Sequence, residues 1–266
     1  MSASLTEPSN VHLTVAACQI SAGADPRQNL ATATAAVQEA ADAGARLAVL
    51  PEATMASFGT PLHEVAQPLD GEFADGIRAL ADRLDLTVVA GMFEPADDRR
   101  VYNTLLLAGP RGEVAYRKIH LYDAFGSRES DTVAPGSQLV TAVVDGVTVG
   151  LATCYDVRFA DQFSALGRAG AQLVLLSASW GEGPGKAEQW DVLVRARAMD
   201  AQAWLLACDQ AWTQPQGPAP LGIGRSALID PLGGVCARLG HAAGVLTGRI
   251  DTEAVASARA RVPLFV

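Results

Sequence analysis

The chain has 266 residues, enough for one large α/β domain or two small ones. Its 29 acidic residues against 20 basic ones give a formal charge of −9 with no run of Lys or Arg, which argues against a nucleic-acid partner. Apolar residues reach 49% and charged ones only 18%, below the roughly 25% of an ordinary soluble domain, as expected of elements buried on both faces or of a subunit interface.

The first ten residues, MSASLTEPSN, have neither the basic start nor the apolar core of a signal peptide. VHLTVAACQI reads as a strand, and Asp25-Pro26 opens a helix as an N-cap followed by proline at the first helical position. Gly44 is placed to end that helix, and RLAVLP is the next strand. A helix near 72–84 leads to TVVAGMF and then to a hairpin, NTLLLA–GPRG–EVAYRK. The cycle resumes with VTVGLATCYD as strand, 159–169 as helix, QLVLLSAS as strand, 187–203 as helix and AWLLACDQ as strand, and SALID–PLGG–VCARL forms a second hairpin. The apolar stretch between Arg168 and Glu182 spans 13 residues, too short to cross a bilayer. Together these features lead us to expect a cytoplasmic protein without a membrane partner. Cys18, Cys154, Cys208 and Cys236 form no CxxC pair, so no disulfide framework or zinc site is expected.

The order of elements repeats, and so do some residues. AGARLAVLPEAT (43–54) aligns with AGAQLVLLSASW (169–180), LTVAAC with VGLATC, and GPRGEV with DPLGGV. Any two Ala/Val/Leu-rich βαβ units look somewhat alike, but three matches in one order favour two halves, about 11–120 and 138–250, of a single domain over 1–266. Chemistry in such sheets gathers at the carboxyl ends of strands, and the residues that break the repeat there are the better functional candidates. Glu52 has Ala178 as its counterpart, and Cys154 is followed by Tyr-Asp-Val-Arg-Phe where Cys18 is followed by Gln-Ile.

Three residues could carry chemistry. Glu52 follows an apolar strand, where partial desolvation turns a carboxylate into a useful base; it could equally cap a backbone amide. Lys118 is one of only two lysines, beside Lys186, in a chain with 18 arginines. A compact ammonium suits an oxyanion better than the wide guanidinium fork, although an exposed surface cation is the plainer alternative. Cys154 ends a strand before a polar turn, where a thiolate can find backbone amides and a cation. Cys18, Cys208 and Cys236 read as buried strand cysteines.

In combination, LAVLPEAT around Glu52, YRKIHLYD around Lys118 and LATCYDVRF around Cys154 resemble the Glu–Lys–Cys catalytic set of the nitrilase, or carbon–nitrogen hydrolase, superfamily. The likeness spans nearly the whole chain. HLYDAF, SASWGEGPGKAEQW and GIGRSALIDPLG look most like the bacterial deaminated glutathione amidase branch. The resemblance implies a four-layer αββα sandwich with an internal pseudo-two-fold repeat, dimerising through its helices, and a second active-site acid at Glu129. A loop ion pair of Glu129 with Arg128 is the alternative from the residues alone.

On this reading Glu52 takes the Cys154 proton, the sulfur attacks a carboxamide, and Lys118 with the backbone amide near Tyr155 holds the oxyanion. Ammonia leaves, water releases the acid, and no metal or organic cofactor is required. Arg158, Ser179, Trp180 and Lys186 are the candidates for binding an anionic amide substrate, with an ion pair from Arg158 to Asp156 or Asp161 as the competing expectation. GEGPGK lacks the spacing of a phosphate loop. His12, His63, His120 and His241 form no ligand pattern, and His120 is expected to order its loop. An ω-amidase or an N-carbamoyl amino acid hydrolase would share these features; a catalytically silent binding module is the alternative from another class.

Overall fold

In the computed structural model, which describes residues 10–214, 219 and 221–265, the helix and strand boundaries follow the local signals. The Asp25 carboxylate accepts the Arg27 amide and Pro26 opens α1 (Pro26–Asp42). Gly44 and its repeat partner Gly170 both take left-handed backbone, with φ 84° and 89°, which turns each chain from a helix end into the following strand.

The first sheet contains β1 (His12–Gln19), β2 (Leu47–Val49), β3 (Thr87–Pro95), β4 (Val101–Gly109) and β5 (Gly112–Arg117), side by side in that order. The short β6 (Val133–Ala134) joins β4. The second sheet repeats the plan with β7 (Thr141–Val144), β8 (Val147–Thr153), β9 (Leu173–Ala178), β10 (Trp204–Asp209), β11 (Ala227–Ile229) and β12 (Val235–Arg238). In each sheet three central strands run parallel and the flanking ones antiparallel. The place beside β1 that corresponds to β7 is filled by β13 (Gly244–Asp251), so a strand from the end of the second half completes the first sheet.

Strand alternation builds the layers. Val15, Ala17, Leu47 and Val49 from the first sheet meet Val149, Leu151, Leu173 and Leu175 from the second in a shared central core. Their neighbours Ala16, Ala48 and Leu50 pack outward under α1 and α3 (Glu72–Leu84), against Val37, Ile77 and Leu80. Ala152, Val174 and Leu176 pack outward under α4 (Ala160–Arg168) and α5 (Lys186–Ala201), against Leu166, Trp190 and Val194. The result is the αββα sandwich. Two further helices, α2 (Leu62–Val65) and α6 (Thr252–Arg261), lie outside this repeat.

Two expectations need correction. β8 stops at Thr153, and Cys154–Arg158 form a 3₁₀ turn rather than a strand end. Cys236 is exposed, unlike the buried Cys18 and Cys208, because β12 is an edge strand. Among the described residues no helix is long and apolar enough to cross a membrane.

Candidate active site

Strand direction gathers the polar residues at one edge. β2, β8 and β9 all end there, delivering Glu52, Cys154, Ser179 and Trp180. β5 runs with β3, because each is antiparallel to β4, so Lys118 just past its end reaches the same edge. Asn103 lies near the start of the opposed β4 and arrives from the other direction.

Glu52 is fully buried. Its Oε1 accepts Lys118 Nζ at 2.9 Å and Asn103 Nδ2 at 2.7 Å, and its Oε2 accepts the Ser179 amide at 2.9 Å. Glu129 turns inward: its carboxylate oxygens lie 2.9 and 3.1 Å from Lys118 Nζ, and Oε2 also accepts the Tyr122 amide at 2.6 Å. Arg128 pairs with Asp131 instead. One ammonium is therefore held between two carboxylates with almost no solvent contact, and Lys118 is 2% exposed. Burial pushes the Glu52 carboxyl above its ordinary range, Lys118 draws it down, and Glu129 pushes it up again. For Lys118 burial acts against the charge, but Glu129 and Glu52 outweigh it, so the ammonium is held well above its usual range.

Cys154 takes left-handed backbone, φ 43°, an unfavourable conformation for a side chain with a Cβ. Its sulfur is 3.9 Å from the Ser179 carbonyl oxygen. Burial and the Glu52 charge push the thiol well above its ordinary range, and Lys118 opposes them. The thiol and the Glu52 carboxylate thus act on each other within one buried cluster.

These groups open onto a cavity of 520 Å³ lined by Glu52, Lys118, Glu129, Cys154, Tyr155 and Lys186 among others. The Lys186 ammonium lies 4.2 Å from the Phe125 ring centre, with Tyr122 and Trp180 at 5.3 and 5.2 Å, and 3.3 Å from the Tyr122 hydroxyl. Burial and nearby Arg158 lower its pKa. Arg158 itself bonds to Gln189 Oε1 at 2.6 Å and sits over the Trp180 ring. Neither Asp156 nor Asp161 pairs with it among the described residues; Asp156 is occupied by Tyr116 and His120. Arg158 does not itself line the cavity, whereas Trp180 beneath it and Lys186 do.

The Carbon-nitrogen hydrolase family model matches residues 14–260. The chain belongs to the carbon–nitrogen hydrolase family. It is 48% identical over 262 residues to a hydrolase of Mycobacterium tuberculosis, covering 94% of each chain. It is 32% identical over 256 residues to the deaminated glutathione amidase of Escherichia coli, covering 94% of this chain and 95% of the relative. Among solved structures it resembles Saccharomyces cerevisiae Nit3, a member of branch 10 of the nitrilase superfamily, with TM-score 0.84 and 26% identity over 96% of both chains. The protein is therefore a hydrolase of carbon–nitrogen bonds within the nitrilase superfamily.

Of the nine candidate site residues read from the sequence of this hydrolase, eight line the cavity, and Arg158 contacts the wall residue Trp180. Sequence reasoning missed those that hold them. Asn103 donates to both Glu52 and Glu129, the latter at 3.3 Å. Gln210 Nε2 donates to the Glu52 carbonyl at 2.9 Å and its Oε1 accepts the Ala22 amide, tying the two sheets together. Asp209 accepts the amides of Trp180 and Ile223 at 2.7 and 2.8 Å. The available signal was a polar residue beside an apolar run: Asn103 before TLLLA, and Asp209-Gln210 after WLLAC.

Proposed function

We propose that this hydrolase converts a small carboxylated amide into the acid and ammonia through a thioester on Cys154. The observation that carries the reading is the buried Glu52–Lys118–Glu129 cluster facing a thiol whose proton it must remove.

Glu52 accepts the Cys154 proton as the sulfur bonds to the amide carbon. The oxygen gains the electron pair of the C=O bond, and Lys118 with the Tyr155 amide stabilises it. When the oxyanion collapses, the C–N bond breaks and nitrogen takes the proton from Glu52, leaving as ammonia. Water then gives a proton to Glu52 and attacks the thioester. The second collapse expels the sulfur, which recovers the proton, and the acid departs. Glu129 keeps Lys118 charged and aimed.

A substrate carboxylate would be met by Lys186, with Arg158 reinforcing the positive field and Ser179 and Trp180 shaping the wall. The likeness to a deaminated glutathione amidase supports that class of substrate. A cytoplasmic homodimer is the assembly we expect: Val192 and Met199 on α5 and Leu232 and Val235 of the β11–β12 hairpin are exposed, and Met199 lies against Gly233 of that hairpin.

Ammonia release measured with deaminated glutathione, α-keto acid amides and N-carbamoyl amino acids tests the proposal. Preferential turnover of deaminated glutathione supports it. Preference for α-keto acid amides would make the protein an ω-amidase, preference for carbamoyl substrates a carbamoylase, and no turnover of any would overturn the reading.

A further inference from the structure

Asp156 lies two residues after Cys154, is fully buried, and takes no part in the chemistry above. Its Oδ2 accepts the Tyr116 hydroxyl at 2.6 Å and the Thr153 amide at 2.8 Å. Its Oδ1 accepts the His120 amide at 3.1 Å and faces His120 Nδ1 at 2.9 Å. Gln162 closes the network: its Nε2 donates to the Tyr116 hydroxyl at 2.9 Å, and its Oε1 lies 2.9 Å from the same His120 nitrogen. With two acceptors facing it, Nδ1 carries the proton. The His120 ring is stacked on Phe159 at 3.6 Å, which fixes its plane.

The chain positions of these donors matter. Tyr116 and His120 flank Lys118 by two residues on either side, in the first sheet and its following loop. Thr153 precedes Cys154 at the end of β8 in the second sheet. The Lys118 main chain is itself held at both ends, its amide donating to Asn103 O at 2.8 Å and its carbonyl accepting the Gly136 amide at 2.7 Å. Asp156 thus bonds the Lys118 segment directly to the turn that holds the nucleophile. It also engages the amide just before the left-handed Cys154, where backbone strain needs an external restraint.

We propose that Asp156 is a positioning residue whose buried bonds to Tyr116, His120 and Thr153 set the separation and angle between the Cys154 sulfur and the Lys118 ammonium. A carboxylate suits the place because all four groups facing it donate; an amide would present its NH₂ to at least one of them.

The inference rests on Cys154 being the nucleophile, so its test reads that residue separately from turnover. Asp156→Asn and Tyr116→Phe are compared with wild type for kcat, KM, melting temperature and the rate of Cys154 alkylation by iodoacetamide, located by peptide mass. For Asp156→Asn the expected result is a fall in kcat of about tenfold to a hundredfold with KM nearly unchanged, as for a small misplacement of reacting groups, and slower alkylation. Tyr116→Phe removes one hydroxyl from a filled site and should lower kcat by roughly threefold to tenfold. A lower melting temperature with kcat and alkylation within about twofold of wild type would overturn the proposal, because a purely structural aspartate behaves that way. If Asp156→Asn does not fold, Tyr116→Phe decides alone. Wild-type protein with neither alkylation nor turnover would refute the nucleophile, not the clamp.

Discussion

The amide of Ser179 donates to Glu52 Oε2 at 2.9 Å. Ser179 directly follows Ala178, the residue that the internal repeat aligns with Glu52. The strand that mirrors the Glu52 strand therefore builds no second carboxylate site; it supplies a ligand for the first. The same asymmetry holds at Cys154, whose mate Cys18 remains an ordinary strand residue with a thiol pushed up to about 12 by burial. Two similar halves produce one site because each contributes what the other lacks.

Lys118→Ala should lower turnover by about a hundredfold to a thousandfold, the usual cost of an oxyanion donor. It should also destabilise the fold by about 3–5 kcal/mol, since two buried carboxylates lose their shared cation. Lys118→Arg should be nearly as inactive, because a planar fork does not fit between Glu52 and Glu129 in a closed space. Kinetics and denaturant unfolding check both variants, and near-wild-type kcat for the arginine form would show that a compact charge is not needed.

The pH profile should have an unusual acid limb. Glu52 must be ionised to act as a base, so activity falls as pH falls through its pKa. Burial first, and Glu129 after it, raise that pKa while Lys118 opposes them, placing the limb above the roughly 4.3 of a free glutamate. Glu129→Gln removes a negative charge that favours protonation of Glu52, so the limb should move to lower pH while kcat drops. A limb that stays in place would mean that Glu129 does not act on Glu52.

Gly91 in β3 backs the Glu52 loop. A Cβ there would lie 2.7 Å from both Pro51 O and Ala53 N. Gly91→Ala should cost about 1–3 kcal/mol through overpacking and displace Glu52, lowering kcat as well as the unfolding midpoint. Unchanged kcat would show that the loop tolerates the shift.

Lys186→Ala should raise KM for a carboxylated amide by about tenfold or more, the scale of one charge-assisted bond, while leaving kcat and the turnover of a neutral amide largely unchanged. Equal effects on both amides would remove Lys186 from anion recognition.

Local signals were legible wherever one residue type answers one steric or capping need. Asp25, Pro26 and Gly44 bound α1, and Gly170 repeats the turn. Glu52, Lys118 and Cys154 stood out through broken symmetry, a scarce residue type and motif likeness. β7 did not, because it is only four residues long, and β13 did not, because it mixes polar residues and glycine into its pattern, GVLTGRID. Asn103, Asp156 and Gln210 were hidden for another reason. Their importance lies mainly in partners 26 to 158 positions away, which no local pattern encodes. Arg158 shows the converse: two nearby aspartates made an ion pair reasonable, yet buried Asp156 was already filled by donors from the other sheet.

The central claim, covalent catalysis at Cys154, is tested most directly by intact-protein and peptide mass measurement during turnover of a slow amide substrate. The account predicts an adduct equal to the acyl group on Cys154, lost on hydroxylamine treatment and absent from Cys154→Ala, which should also be inactive. Steady turnover by Cys154→Ala, or an adduct on another residue, would contradict it.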